Sequence, residues 1–421
     1  MRKAFLGVLV GALAASPVVV PVVAVAAPAT DTDIVAGRSG DTSAKYDRAA
    51  HLQKLLDAEH AAGMIGVLAR VRDSRWSWSG AAGVARLDDG APMRPRLRHR
   101  VGSITKSFVA TAVLQLVGER RVRLDEPIAT YLPNALPTEL GAKITVRHLL
   151  QHTSGLGNYT SALLTGPEAI EKAQITTYRP AELMAMGLTL PATNEPGAAW
   201  SYSNTNYILL GMLLERVTGR SVATEVRRRV LWPLRMRDTY FPGTQPRIRG
   251  PHGGAYVPWT DDKPRDFVNF NMSWAGAAGE LVSTAKDLDR FYAALLGGQL
   301  LRPAQLTEML RTVPFDPARP ELGGYGLGVF NTNLPCGSFW GHNGGVIGHT
   351  TVSLHSPDGR RGVTLGENLN FYGEGDEHPI DVARAKFITT ALCGSEAPTG
   401  AARSLGEALR ATADGSPSAH R

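Results

Sequence analysis

At 421 residues, with 43% apolar and 20% charged side chains, the chain can bury a large core and is not a disordered polypeptide. Its formal charge of +7 is spread over scattered arginines, with Arg94, Arg96, Arg98 and Arg100 in alternation and Arg227, Arg228 and Arg229 in a row. Solvated surface is the plainer reading of both clusters and attraction to an anionic surface the functional one; no nucleic-acid-binding motif accompanies them.

Residues 1–26 have the layout of a secretory signal: Arg2 and Lys3, an apolar run from Ala4, and a small-residue site at Ala24-Val25-Ala26. Pro17 and Pro21 interrupt that run, which favours cleavage over a retained anchor, and no other segment is apolar enough to span a bilayer. Residues 27–45 read as a disordered leader, 46–393 as the folded part, and 394–421 as a tail that is trimmed or disordered. A helix is predicted over Tyr46–Ala62, stopped by Gly63, followed by an antiparallel pair, Met64–Val71 and Trp76–Val84.

Val101–Glu119 (VGSITKSFVATAVLQLVGE) breaks at Gly102 into a helix apolar nearly all round, the pattern of a buried helix. Ser103 and Lys106 share a face of its first turn. A hydroxyl is a poor nucleophile until a base takes its proton, and a desolvated lysine can be that base. Taken alone, Ser103 is as readily a helix cap. The chain carries its own decoy, Ser283-Thr284-Ala285-Lys286, which opens the helix KDLDRFYAALL and reads as a cap.

Residues 120–235 read as a mostly helical subdomain. His148 and His152 stand four apart, a zinc-pair spacing, but with no intervening glutamate and no third ligand; packing or capping is preferred, and no metal or cofactor is expected. Neither a G-x-S-x-G elbow nor a phosphate loop occurs. In the loop before ILLGMLLERVTG, Tyr202 and Asn204 lie two apart, so their side chains point the same way; the phenol can carry protons, and the amide can grip a substrate carbonyl or hold the lysine. Trp274 is either a pocket wall or core. Strands are predicted over Tyr325–Phe330, Phe339–Gly345, Val346–Leu354 and Gly362–Leu365, with a last helix at Pro379–Leu392, and His342 among glycines suggests close backbone approach by a ligand. Cys336 and Cys393 are predicted to pair, with two buried thiols as the alternative.

Together, GSITKSF, HLLQHTSGL, PGAAWSYSNTNYILLGMLLERVTGRSVATE, SWAGAAG and YGLGV resemble the penicillin-recognising serine hydrolases, most closely the secreted serine D-alanyl-D-alanine carboxypeptidases and more distantly class C β-lactamases. The resemblance runs from about Asp47 to Cys393. It implies an α+β, β-lactamase/transpeptidase-like fold, an antiparallel sheet flanked by helices beside an all-helical subdomain. It implies Ser103 as the acylated nucleophile, Lys106 as its proton partner, Tyr202 as proton shuttle and His342 as a source of hydrogen bonding and positive potential. Asn204 and Trp274 would contact substrate, and the N–H groups of Ser103 and Gly345 would form the oxyanion hole. Peptidoglycan stem peptides would be the substrate and β-lactams inhibitors of a monomeric enzyme, secreted free or held at the cell wall, with no membrane contact beyond the signal. Where those relatives hold the substrate's carboxylate with hydroxyls and an arginine, this chain has Asn343, Gly345 and Phe330. That departure leaves an esterase, a D-amino-acid amidase or aminopeptidase, or a β-lactamase as alternatives, and a non-catalytic binding protein as a third.

Overall fold

The computed structural model describes residues 39–259, 263–373, 378–394 and 399–412. The signal at 1–26 and most of the leader lie outside the described residues. Helix α1, Ser39–Ala61, starts inside the segment read as leader. Eight strands form the main sheet: β1 Gly66–Asp73, β2 Trp76–Gly83, β3 Val313–Pro314, β4 Gly324–Tyr325, β5 Phe330–Leu334, β6 Gly337–Val346, β7 His349–His355 and β8 Gly362–Glu367. Their order is β2-β1-β8-β7-β6-β5-β4-β3, with antiparallel pairing throughout. This is the α+β architecture expected, an antiparallel sheet flanked by helices. Between α2, Thr105–Gly118, and Leu231 the described regular elements are helical, among them α3, Asn204–Thr218.

Strand alternation sorts the layers. Val67, Ala69 and Val71 of β1 point into one apolar cluster with Leu52, Leu55 and Leu56 of α1 and Phe387 and Ile388 of the last expected helix, α5, Pro379–Cys393. Arg70 and Arg72 point the other way, where Asp289 of α4, Ala285–Leu296, accepts from them at 2.8 and 2.7 Å.

Three expectations are corrected. The strand predicted over Tyr325–Phe330 is a turn between β4 and β5: Gly328 sits at φ +80° and the Gly326 N–H bonds Val329 O at 2.8 Å. The arginine clusters are not wholly solvated surface. Arg100 is 1% exposed and donates to the carbonyls of Pro246 at 2.9 Å and Val268 at 2.7 Å, while buried Arg229 bridges Glu119 and Glu225. Beyond Gly394, where the sequence reading has a tail, a further helix, α6, Thr399–Ala411, buries Leu405 and Leu409 on the α1/α5 side and is tied by an Arg319–Glu407 ion pair of 2.7 Å. No described helix is long and apolar enough to cross a membrane.

Cys336 and Cys393 are bonded, joining the β5–β6 turn to the end of α5. On the chain-entropy account a loop of 57 residues contributes about 4 kcal/mol. The Cys336→Ser/Cys393→Ser variant should lose that much in urea unfolding; a loss below about 1 kcal/mol would contradict the entropic account.

His99 and His349 are buried with ring centroids 6.1 Å apart, and burial pushes His99 from 6.5 down to about 4. The unfolded chain therefore takes up this proton first, so stability falls as pH drops from 6.5 towards 4. At pH 4.5 the loss from this one ring is on the order of 2–3 kcal/mol. His99→Gln should flatten the fall in melting temperature between pH 7 and pH 4.5, and an unchanged fall would refute the assignment.

Candidate active site

The nucleophile position is built by one glycine. A short strand, His99–Arg100, pairs with Val282–Ser283 and delivers the chain to Gly102, at φ +53° in the region that favours glycine. A Cβ there would also lie 2.8 Å from the backbone N and O of Gly345. The chain then turns through Gly102–Ile104 into α2, so Ser103 sits buried at the helix start. Thr105 locks the turn, its hydroxyl donating to Gly102 O at 2.7 Å and accepting from Leu281 N–H at 3.1 Å. Phe108, stacked on Phe291 at 3.7 Å, fixes the helix in the core.

Lys106 is fully buried, its Nζ 2.8 Å from Ser103 Oγ, 2.7 Å from Asn204 Oδ1 and 2.8 Å from Ala278 O. The latter two oxygens only accept, so they orient two N–H bonds. The third direction points at the serine. In a neutral amine that direction would be a lone pair, able to receive the hydroxyl proton. The rings of Tyr202 and Tyr207 lie 4.9 and 5.5 Å from Nζ, so the base is walled by aromatic surface. Of the two roles read for Asn204, the structure shows it holding the lysine. The Asn158 Oδ1 accepts from its backbone N–H at 3.1 Å and its side-chain amide at 3.2 Å. Asn158 and Ala278 O were not singled out in the sequence: a lone asparagine before a helix reads as a cap, and a carbonyl has no sequence signal.

The glycines of β6 close the site. A Cβ on Gly344 would stand 2.1 Å from Val101 O and 2.7 Å from Ser103 N, so the strand backbone lies directly against the Ser103 turn. The Gly344 and Gly345 backbone is thereby brought beside the Ser103 turn.

His342 stands on the strand expected, but without the charge expected. Its Nδ1 bonds the backbone oxygen of Asn343, which only accepts, so Nε2 receives the Tyr325 hydroxyl at 2.8 Å. Burial, then the Lys106 charge, push it down to about 3. It supplies no positive potential at neutral pH. Asn343 is likewise engaged: its Nδ2 donates to Leu409 O at 2.7 Å and its Oδ1 accepts from Thr412 at 2.6 Å, both from the end of α6. Phe330 is fully buried against the Phe315 and His342 rings. Trp274 is 3% exposed, packed on Phe270; its segment reaches Lys106 through Ala278 O rather than through the indole.

The decoy and the histidine pair are structural. Thr284 accepts from Asp287 N–H at 3.2 Å as a helix cap. His148 makes a reciprocal cap with Thr145, and buried His152 accepts from Ser203 N–H at 3.2 Å beneath the Tyr202 ring. Among the described residues no group of three or more His, Cys, Asp or Glu is arranged to hold a metal.

A family described as Beta-lactamase matches residues 49–385. The chain belongs to the Beta-lactamase family. It shares that family's fold. A solved D-stereospecific amidohydrolase from Streptomyces sp. is 38% identical with a TM-score of 0.74, over 82% of this chain and 99% of that one. Esterase EstB of Burkholderia gladioli is 32% identical over 48% of this chain and 52% of its own length. Penicillin-binding protein 4* of Bacillus subtilis (strain 168) is 26% identical over 66% of this chain and 62% of its own. The chain thus spans about half to three fifths of these two curated relatives.

Proposed function

We propose that this Beta-lactamase-family protein hydrolyses amides or esters of D-configured amino acids through an acyl-enzyme on Ser103. Neutral Lys106 takes the Ser103 proton as Oγ attacks the substrate carbonyl, and the oxyanion forms towards the Ser103 and Gly345 amides. Lys106 hands that proton on through Tyr202, beside it, to the departing amine or alcohol as the carbon–heteroatom bond breaks, which leaves the lysine neutral and the phenol protonated. Water then attacks the acyl carbon, Lys106 taking a proton from it and returning one to Ser103 Oγ as the Oγ–acyl bond breaks. Each oxyanion donor in such a site contributes about 3 kcal/mol to the transition state.

The observation that carries the choice of substrate is the state of the three positions where carboxypeptidase relatives grip a carboxylate. Phe330 is buried and apolar, Gly345 has no side chain, and both ends of the Asn343 amide are bonded within the protein. An arginine fork would offer a carboxylate a charge-assisted bidentate pair; none of these residues can. The likeness to a D-stereospecific amidohydrolase and to an esterase supports the same choice. The likeness to a penicillin-binding protein favours a second reading, a D-alanyl-D-alanine carboxypeptidase acting on peptidoglycan stem peptides, with β-lactams as acylating inhibitors. Residues 1–26 support placing either activity outside the cell.

The test is hydrolysis of D-phenylalanine amide, L-phenylalanine amide and an N-acyl-D-Ala-D-Ala peptide, with Ser103→Ala as control. Serine-dependent cleavage of the D-amide, above the L-amide and the peptide, is expected. Rapid D-alanine release from the peptide with no amide turnover would replace this reading with the carboxypeptidase.

A further inference from the structure

On β6, Phe339 and Asn343 lie on the face shared with α1, α5 and α6, and Gly345, two residues on, has the same parity and points the same way. A Cβ on Gly345 would meet nothing within 4 Å. Open space therefore lies beside a proposed oxyanion donor, about 7 Å along the strand from Asn343. The end of α6 occupies the neighbouring position: Leu409 O and the Thr412 hydroxyl take the two ends of the Asn343 amide, and Thr412 is 1% exposed.

The helix is held there at both ends. The Cys336–Cys393 bond fixes the chain just before α6 to the residue preceding β6, and the Asn343 contacts fix its last turn to the strand's active half. The Arg319–Glu407 ion pair and buried Leu405 secure the middle. That bracing matters because β5 pairs with β6 only as far as Gly341, so His342 to Val346 have no β5 residue paired with them.

We infer that the last turn of α6 walls the leaving-group side of the site and selects against substrates whose leaving group bears a carboxylate. This rests on the proposed acyl-enzyme reading. Two features produce the selection. The amide N–H of Asn343, a donor that could have met an anion here, is bonded to Leu409 O. The wall itself is a helix C-terminus, whose carbonyls carry partial negative charge and disfavour an anion within a turn of the helix end. A neutral amide or an alcohol meets neither obstacle.

The test uses the full chain and two peptides that differ in one group, N-acetyl-D-Ala-D-Ala and its C-terminal amide. Wild type is expected to cleave the amide form at least about tenfold better in kcat/KM, with the difference mainly in KM. Asn343→Ala, which unties the helix end, should narrow the ratio to about threefold or less, while Thr412→Ser, which keeps the hydroxyl, should retain it. Equal rates in wild type, or a ratio unmoved by Asn343→Ala, overturn the inference. A preference for the free acid also overturns it and points to Arg410, the cation of the same turn. If Ser103-dependent cleavage of both peptides and of D-phenylalanine amide is absent, the proposed function fails. The wall is then read by calorimetric binding of the two peptides to Ser103→Ala, where equal affinity overturns it.

Discussion

Ser103→Ala should lower kcat/KM for a D-amino-acid amide by on the order of 10⁴-fold or more, and Lys106→Met should do nearly the same. The two losses should not add, because each removes the same step, transfer of the serine proton as the Oγ–carbon bond forms. Their effects on stability should differ. Without the hydroxyl, Lys106 keeps Asn204 Oδ1 and Ala278 O as partners, so Ser103→Ala should barely move the melting temperature. Without the amine, those two buried oxygens lose their donor, at about 1–3 kcal/mol each, so Lys106→Met should melt several degrees lower. Steady-state kinetics beside calorimetry separates the cases. A Lys106→Met enzyme within tenfold of wild type would remove the lysine from the proton path.

The second large effect is expected at Gly344→Ala. The added methyl would meet Val101 O at 2.1 Å and Ser103 N at 2.7 Å, and both are backbone atoms that no rotamer change can move. The strand must therefore shift away from the Ser103 turn. Overpacking of this kind costs about 1–3 kcal/mol of stability. The cost to catalysis should be larger, about 10²–10³ in kcat, because a shifted Gly345 amide no longer meets the oxyanion. Gly345→Ala is the contrast, since its Cβ enters open space; it should fold normally and affect KM more than kcat. A Gly344→Ala enzyme with wild-type kcat would show that the β6 amide is not an oxyanion donor.

What the sequence made legible follows from how local each signal is. Ser103 and Lys106 share one helical turn, so spacing alone set them side by side, and Lys106 Nζ is indeed 2.8 Å from Ser103 Oγ. The strands β1, β2 and β6 to β8 were legible from alternation and turn residues. The YGLG turn was misread because Tyr325, Leu327 and Val329 alternate as a strand does, while the glycines that bend it, Gly326 and Gly328, also suit a strand beside a close neighbour. The role of His342 was misread because a histidine's charge depends on burial and on Tyr325 and Lys106, which lie far off in sequence. α6 was overlooked although Leu405, Ala408 and Leu409 recur at helical spacing, since a short amphipathic run near a polar chain end has no visible partner until Asn343 and the α1/α5 face are in place. Asn343 shows the same limit: an asparagine beside a catalytic strand suggests a substrate contact, and only the fold reveals what it holds.

The proposed hydrolysis passes through a covalent bond to Ser103. The direct measurement is to quench the enzyme during turnover of a D-phenylalanine ester, digest it, and locate any adduct by mass spectrometry. The result predicted is a single phenylalanyl mass increment on the peptide containing Ser103, lost in Ser103→Ala and prolonged in variants that slow deacylation. Turnover with no adduct under rapid quench, or an adduct on any other residue that survives Ser103→Ala, would contradict it.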